Sequence, residues 1–151
     1  MADAGVLEDG TPALSRLREF ISKCMAAGVE LSAVVLIGSR AEGRWKPWSD
    51  VDAVVVVANS SDIGEAVNLA IEAGLDPRVY TPEELLQEAA RGDLAALDAL
   101  EQGKAVYGAE AFSELRQKFT MVKRRLKLRR IEGGWVIGVI EERTLASKSG
   151  S

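Results

Sequence analysis

The stretch that decides the fold runs Ala33-Val34-Val35-Leu36-Ile37-Gly38-Ser39, then ten residues, then Asp50-Val51-Asp52-Ala53-Val54-Val55-Val56-Val57. Each apolar run is rich in β-branched residues, long enough for a buried strand and too short for a helix. Gly38-Ser39 therefore closes one strand, and Asp50 and Asp52 open the next. Ten residues fall short of a parallel crossover, so the strands are expected to be antiparallel neighbours. The Gly-Ser turn and the acid pair then share one end of a sheet.

Elementary chemistry limits what such an end can do. Residues two apart on a strand point to the same face, and two carboxylates held that close need a cation between them. Hard oxygen ligands suit Mg²⁺, which binds through one or two carboxylates together with substrate phosphates. Gly38 permits close backbone approach to a ligand. Residues 39–43 are expected to open a short helix whose free amides receive a phosphate. A phosphate cradle beside a metal-binding acid pair is equipment for phosphoryl or nucleotidyl transfer. Taken singly, Gly-Ser is an ordinary turn and Ser49-Asp50 an ordinary polar break. Neither reading accounts for two acids opening a core strand.

Gly38-Ser39-Arg40-Ala41-Glu42-Gly43-Arg44 followed by Ser49-Asp50-Val51-Asp52 resembles the core motif of the polymerase beta-like nucleotidyltransferase superfamily. The chain is most similar to its minimal nucleotidyltransferase family. The resemblance implies an α/β fold, a small mixed β-sheet with flanking helices like the polymerase beta palm. It implies that Gly38 and Ser39 bind a nucleoside triphosphate, expected to be ATP, and that Asp50 and Asp52 hold two Mg²⁺ (or Mn²⁺) ions. A third carboxylate comes from a later strand in that family. Transfer of a nucleoside monophosphate to an acceptor hydroxyl, with pyrophosphate release, is the implied activity. Family members are often paired with a helical HEPN-type protein in toxin–antitoxin modules, so a weakly active or inactive partner subunit is the alternative.

Composition sets the remaining bounds. A chain of 151 residues with 47% apolar and 28% charged residues suits one globular domain, with a core over about 12–112 and a basic extension at 113–145. No run is long enough to span a membrane, and the first residues lack the pattern of a secretory signal, so a cytoplasmic location is expected. One cysteine, Cys24, excludes an internal disulfide and reads as core. The absence of histidine removes imidazole catalysis and leaves carboxylates with metal. Only two Asn and three Gln, beside many charges, hint at a thermophilic source.

Charge is concentrated. Eight basic residues and no acid lie in 116–130; the other 11 basic and 23 acidic residues leave −12 on the rest of the chain. That stretch suits a negative ligand: nucleic acid, a nucleotide or an acidic partner. Phe119, Val122 and Leu126 give its helix an apolar stripe for the domain or a second subunit.

Along the chain, Thr11 or Ser15 is expected to open a first helix ending near Gly28. It carries Leu14, Leu17, Phe20, Ile21, Cys24 and Met25 on one face. Asp62 is expected to cap a second, bearing Ile63, Ala66, Val67, Ala70 and Ile71 and stopping at Gly74. Leu75 to Thr81 reads as a third strand, parallel to the second. Thr81-Pro82-Glu83-Glu84 starts a third helix. Short helices over 82–91 and 93–102 and an extended piece at 103–108 follow. A basic helix over about 110–130 leads to an apolar strand from Trp135 to Ile140, an edge for pairing in a homodimer. Residues 148–151 are expected to fray.

Asp76, at the start of the third strand, is the candidate third carboxylate. Glu83 or Glu84 replaces it if Asp76 points away, since Pro77 makes Asp76-Pro77 a turn pair as well. Arg40 and Arg44 flank the turn, either as triphosphate contacts or as solvated surface. Trp45 and Trp48 either offer a stacking surface for a base, or cap the core or rest against a partner. Ser49 is expected to brace the loop.

Overall fold

The computed structural model describes residues 4–126, 128–131 and 134–137. Four strands, β1 (Leu31–Ile37), β2 (Asp52–Val57), β3 (Asp76–Tyr80) and β4 (Lys104–Tyr107), form one mixed sheet in the order β3-β2-β1-β4. β1 runs antiparallel to β2 and β4, and β2 runs parallel to β3. Strand pairing therefore follows the reading from loop length: a ten-residue loop gives an antiparallel neighbour, and a helix-bearing connection gives a parallel one.

Both central strands are buried on both faces, which is why they are continuous apolar runs. Their side chains alternate. Val34, Leu36, Ala53, Val55 and Val57 meet α1 (Leu14–Ala27) and α2 (Ile63–Glu72) through Leu17, Phe20, Cys24, Ala66 and Ala70. Ala33, Val35, Val54 and Val56 meet the other side, built from α3 (Pro82–Ala90), α4 (Leu94–Gln102) and α5 (Ala109–Leu126). Leu85, Leu97, Leu100, Phe112, Leu115 and Phe119 fill that second layer. Removing these side chains from water is the main stabilising term, about 25 cal/mol per Å² of apolar area.

Several local expectations give way to tertiary context. α1 begins at Leu14 after Ala13, with no side-chain cap from Thr11 or Ser15. The segment before it is folded instead: Ala4, Leu7 and Ala13 are buried, and Val6 bridges Pro12. The core thus starts before residue 12. Asp62 does not cap α2 with its side chain, because a 3-10 turn over Ser60–Asp62 leads into the helix. Met25 and Ile71, among the apolar positions of α1 and α2, are 62% and 60% exposed, since each lies near the end of its helix. The Thr81 capping box forms in full, with Thr81 Oγ1 accepting from Glu84 and the Glu84 carboxylate accepting from Thr81.

The basic helix is shorter than expected. α5 ends at Leu126, and residues Leu128–Ile131 form β5, paired antiparallel with β6 (Gly134–Ile137). The apolar strand expected from Trp135 to Ile140 therefore has a partner within its own chain. Residues 138–140 and the fraying expected at 148–151 lie outside the described residues. No helix among the described residues is long and apolar enough to cross a membrane.

Candidate active site

β2 is the hub. In its first ladder position Asp52 pairs with Ile37 of β1 on one side and Asp76 of β3 on the other. The chain thereby sets the Gly38 turn and two acids side by side without any long side-chain reach. Asp50 does not belong to the strand: it lies in the loop two residues before β2 and is exposed, as is Asp76, while Asp52 is partly buried. Carboxylate oxygens of Asp50, Asp52 and Asp76 all lie within 4.8 Å of one another. Asp76 is thus the third member of this acid cluster. Glu83 and Glu84 start α3, where Glu84 belongs to the capping box.

Gly38 has φ 77, in the left-handed region, and a Cβ there would stand 2.5 Å from Asp52 Oδ2. Only glycine suits both demands, backbone and space. Residues 39–43 form a turn rather than the helix expected. The Ala41 and Glu42 amides donate to the Gly38 carbonyl, and the Arg44 amide donates to that of Ser39. This single turn is held by the Gly43 reversal (φ 77) and goes no further.

Burial, first, pushes the Asp52 carboxyl up to about 6; the hydrogen bond and charge of Asp76 and the charge of Asp50 add to it, and Arg78 opposes. Arg78, two residues along β3, pairs with Asp76 at 3.4 Å. Three acids with one exposed guanidinium beside them are short of positive charge. Their all-oxygen donor set fits a hard divalent cation.

Arg40 takes a different place from either reading above. It is 1% exposed. Its guanidinium donates to the carbonyls of Ala4 (2.9 Å), Ser49 (3.0 Å), Lys46 (3.2 Å) and Pro47 (3.2 Å). The charge is solvated by main chain, and those bonds hold the loop that delivers Asp50. Burial, then the charge of Arg16, lowers its pKa. Trp45 lies over the guanidinium at 5.6 Å and packs on Gly5, so it covers the buried Arg40. Ser49 braces the loop as expected, its Oγ accepting from the Lys46 amide at 2.8 Å. Arg44 is on the surface, paired with Glu42 at 2.9 Å. Trp48 is 68% exposed.

A cleft of about 400 Å³ opens beside the acids, between Trp48, Asp50, Asp76 and the segment carrying Leu7, Glu8 and Asp9. Those N-terminal residues are not among the sequence candidates. Only the small-residue and Gly-rich opening hints at a packed coil there.

The nucleotidyltransferase domain family matches residues 15–128. Two solved structures share the fold. One is a toxin–antitoxin structure with AMP-PNP, 17% identical, with TM-score 0.52, covering 87% of this chain and 97% of that one. The other is a mutant of the toxin–antitoxin MntA-HpeT, 16% identical, with TM-score 0.54, covering 89% of this chain and 98% of that one. No curated protein matches the chain.

Two outcomes test this geometry. Asp52 is protonated more readily folded than unfolded, so its contribution is full below the unfolded value of 3.8 and is lost as pH rises through about 6. With a chelator present, Asp52→Asn is therefore expected to be more stable than wild type at pH 7, by on the order of 1 kcal/mol given the partial exposure. The gap should close as pH falls to about 4; a less stable Asp52→Asn at pH 7 contradicts it. Arg40→Ala strands four carbonyls and is expected to cost about 3 kcal/mol in denaturant unfolding. Arg40→Lys should recover under half of this, because an ammonium cannot fork between so many acceptors.

Proposed function

The chain belongs to the nucleotidyltransferase domain family, and on that premise we propose that it transfers a nucleoside monophosphate from a nucleoside triphosphate, ATP in the first instance, to an acceptor hydroxyl. The observation that carries the reading is the convergence of Asp50, Asp52 and Asp76 within 4.8 Å, against the Gly38 turn. In this account the three carboxylates hold divalent cations, Mg²⁺ or Mn²⁺. Bound there, the ions neutralise charge on the phosphates and orient the leaving group. Gly38 and Ser39 present main-chain amides to the β- and γ-phosphates. The acceptor oxygen bonds to the α-phosphorus as the bond to the β-phosphate oxygen breaks, pyrophosphate leaves, and the acceptor proton passes to Asp76. Arg40 positions the loop carrying Asp50, and Arg44 is left as a solvent-side phosphate contact.

A second reading has support of its own. The two solved structures reported above are both toxin–antitoxin structures. In that reading the chain is the partner subunit of a helical HEPN-type protein and either nucleotidylates it or only binds it. Homodimer formation and nucleic-acid binding through 116–130 have less behind them. Arg116 is spent on the carbonyls of Leu100 and Gly103, and Lys123 on Glu101 at 2.8 Å, which thins the free basic face of α5.

The test is the fate of the phosphates. With [α-³²P]ATP, Mg²⁺ and candidate acceptors (protein, RNA end, amino sugar), label should pass to the acceptor with pyrophosphate release. Asp50→Asn/Asp52→Asn should reduce this by roughly a thousandfold. Release of orthophosphate in place of pyrophosphate contradicts the reading. A nucleotide-independent complex with a helical partner that survives the double substitution, without labelling, selects the binding-only role.

A further inference from the structure

The sequence pairs Trp45 and Trp48 in one polar loop; the structure separates their roles. Trp45 is consumed by packing on Arg40 and Gly5. Trp48 stands 68% exposed, on the wall of the cleft that also contains Asp50 and Asp76. The cleft around it is mostly polar, with Glu8, Asp9, Arg16, Asp50 and Asp76 in its lining and Leu7 and Leu75 buried, so Trp48 is the broadest exposed apolar face there. At about 400 Å³ the cleft lies within the range of small-molecule sites.

Where the cleft lies says what it takes. It is lined by Asp50 and Asp76 and by neither Gly38 nor Ser39. In-line displacement puts the entering oxygen opposite the leaving pyrophosphate, and the proposed pyrophosphate side is the Gly38–Ser39 turn. The open side, next to Asp76, is then the acceptor's. Resting on the nucleotidyl-transfer reading above, we propose that the acceptor enters through this cleft with the face of a ring on Trp48 and its hydroxyl directed at Asp76. The shared chemistry is a ring that presents a C–H or π face beside a hydroxyl, found in a phenol or a sugar. Arg16, which donates to the Gly74 carbonyl at 2.9 Å, holds the chain entering β3 and so sets the cleft's far wall.

Two probes separate the sources: N-acetyltyrosinamide for a phenol and methyl glucopyranoside for a sugar. Each is titrated into wild type with Mg²⁺ and AMP-PNP while the indole N–H resonances are followed, Trp48 being assigned by its loss in Trp48→Phe. The expected result is a shift of the Trp48 signal by one probe at millimolar concentration. That probe should also accept label from [α-³²P]ATP. Trp48→Ala should cut this transfer at least about tenfold, leaving the Mg·ATP dissociation constant unchanged, and Trp48→Phe should retain most of it. An unmoved Trp48 resonance with both probes, in protein that binds Mg·ATP, overturns the acceptor cleft alone. Weakened Mg·ATP binding by Trp48→Ala overturns it too, by seating the nucleoside there. Wild type that binds no Mg·ATP removes the nucleotidyl-transfer reading and the cleft's role with it.

Discussion

The arrangement depends on one main-chain constraint, the placing of Asp52 between Ile37 and Asp76 in adjacent ladders. An antiparallel partner on one side brings a turn to that point; a parallel partner on the other brings the beginning of a strand. Together they put the end of β1 and the starts of β2 and β3 at the same edge. The result is electrostatically unfavourable on its own. Three carboxylates converge where burial already penalises charge, and Asp52 responds by holding its proton to about pH 6. Such an arrangement persists because the rest of the domain is well packed, with both central strands buried on both faces. Strain of this kind is expected where a site is built for a cation that the chain does not itself provide.

The second device is Arg40. A buried guanidinium is costly unless every donor is met, and here the acceptors are carbonyls from the N-terminal segment and from the loop before Asp50. One side chain thus joins three parts of the chain that have no regular structure of their own: residue 4, the turn after β1, and residues 46–49. Its place next to Ser39 invited a phosphate-binding reading, yet phosphate contact and loop bracing use the same fork of donors. Only the position of the carbonyls decides between them.

Much of the fold was legible because its signals were local. β-branched runs bounded by Gly and Asp marked β1 and β2, connection lengths gave their directions, and Thr81-Pro82-Glu83-Glu84 gave the start of α3. The clustering of Asp76 with Asp50 and Asp52 followed from a parallel third strand. What escaped was set by tertiary contact. α1 starts without a polar cap because a folded N-terminal segment precedes it. The basic run after Arg116 reads as one helix by composition, and its pairing with residues 134–137 comes from a hairpin. The packing of Trp45 turns on Gly5, forty residues away in sequence, while Trp48 stays exposed. The sequence pattern of neither tryptophan carries that information.

The central claim is that Asp50, Asp52 and Asp76 hold a metal–nucleotide complex. Titration calorimetry of ATP with Mg²⁺, on wild type and on Asp50→Asn/Asp52→Asn, tests it most directly. The account predicts binding that requires Mg²⁺ and disappears in the double variant. Failure of the wild type to bind, or binding that survives loss of both aspartates, would contradict it.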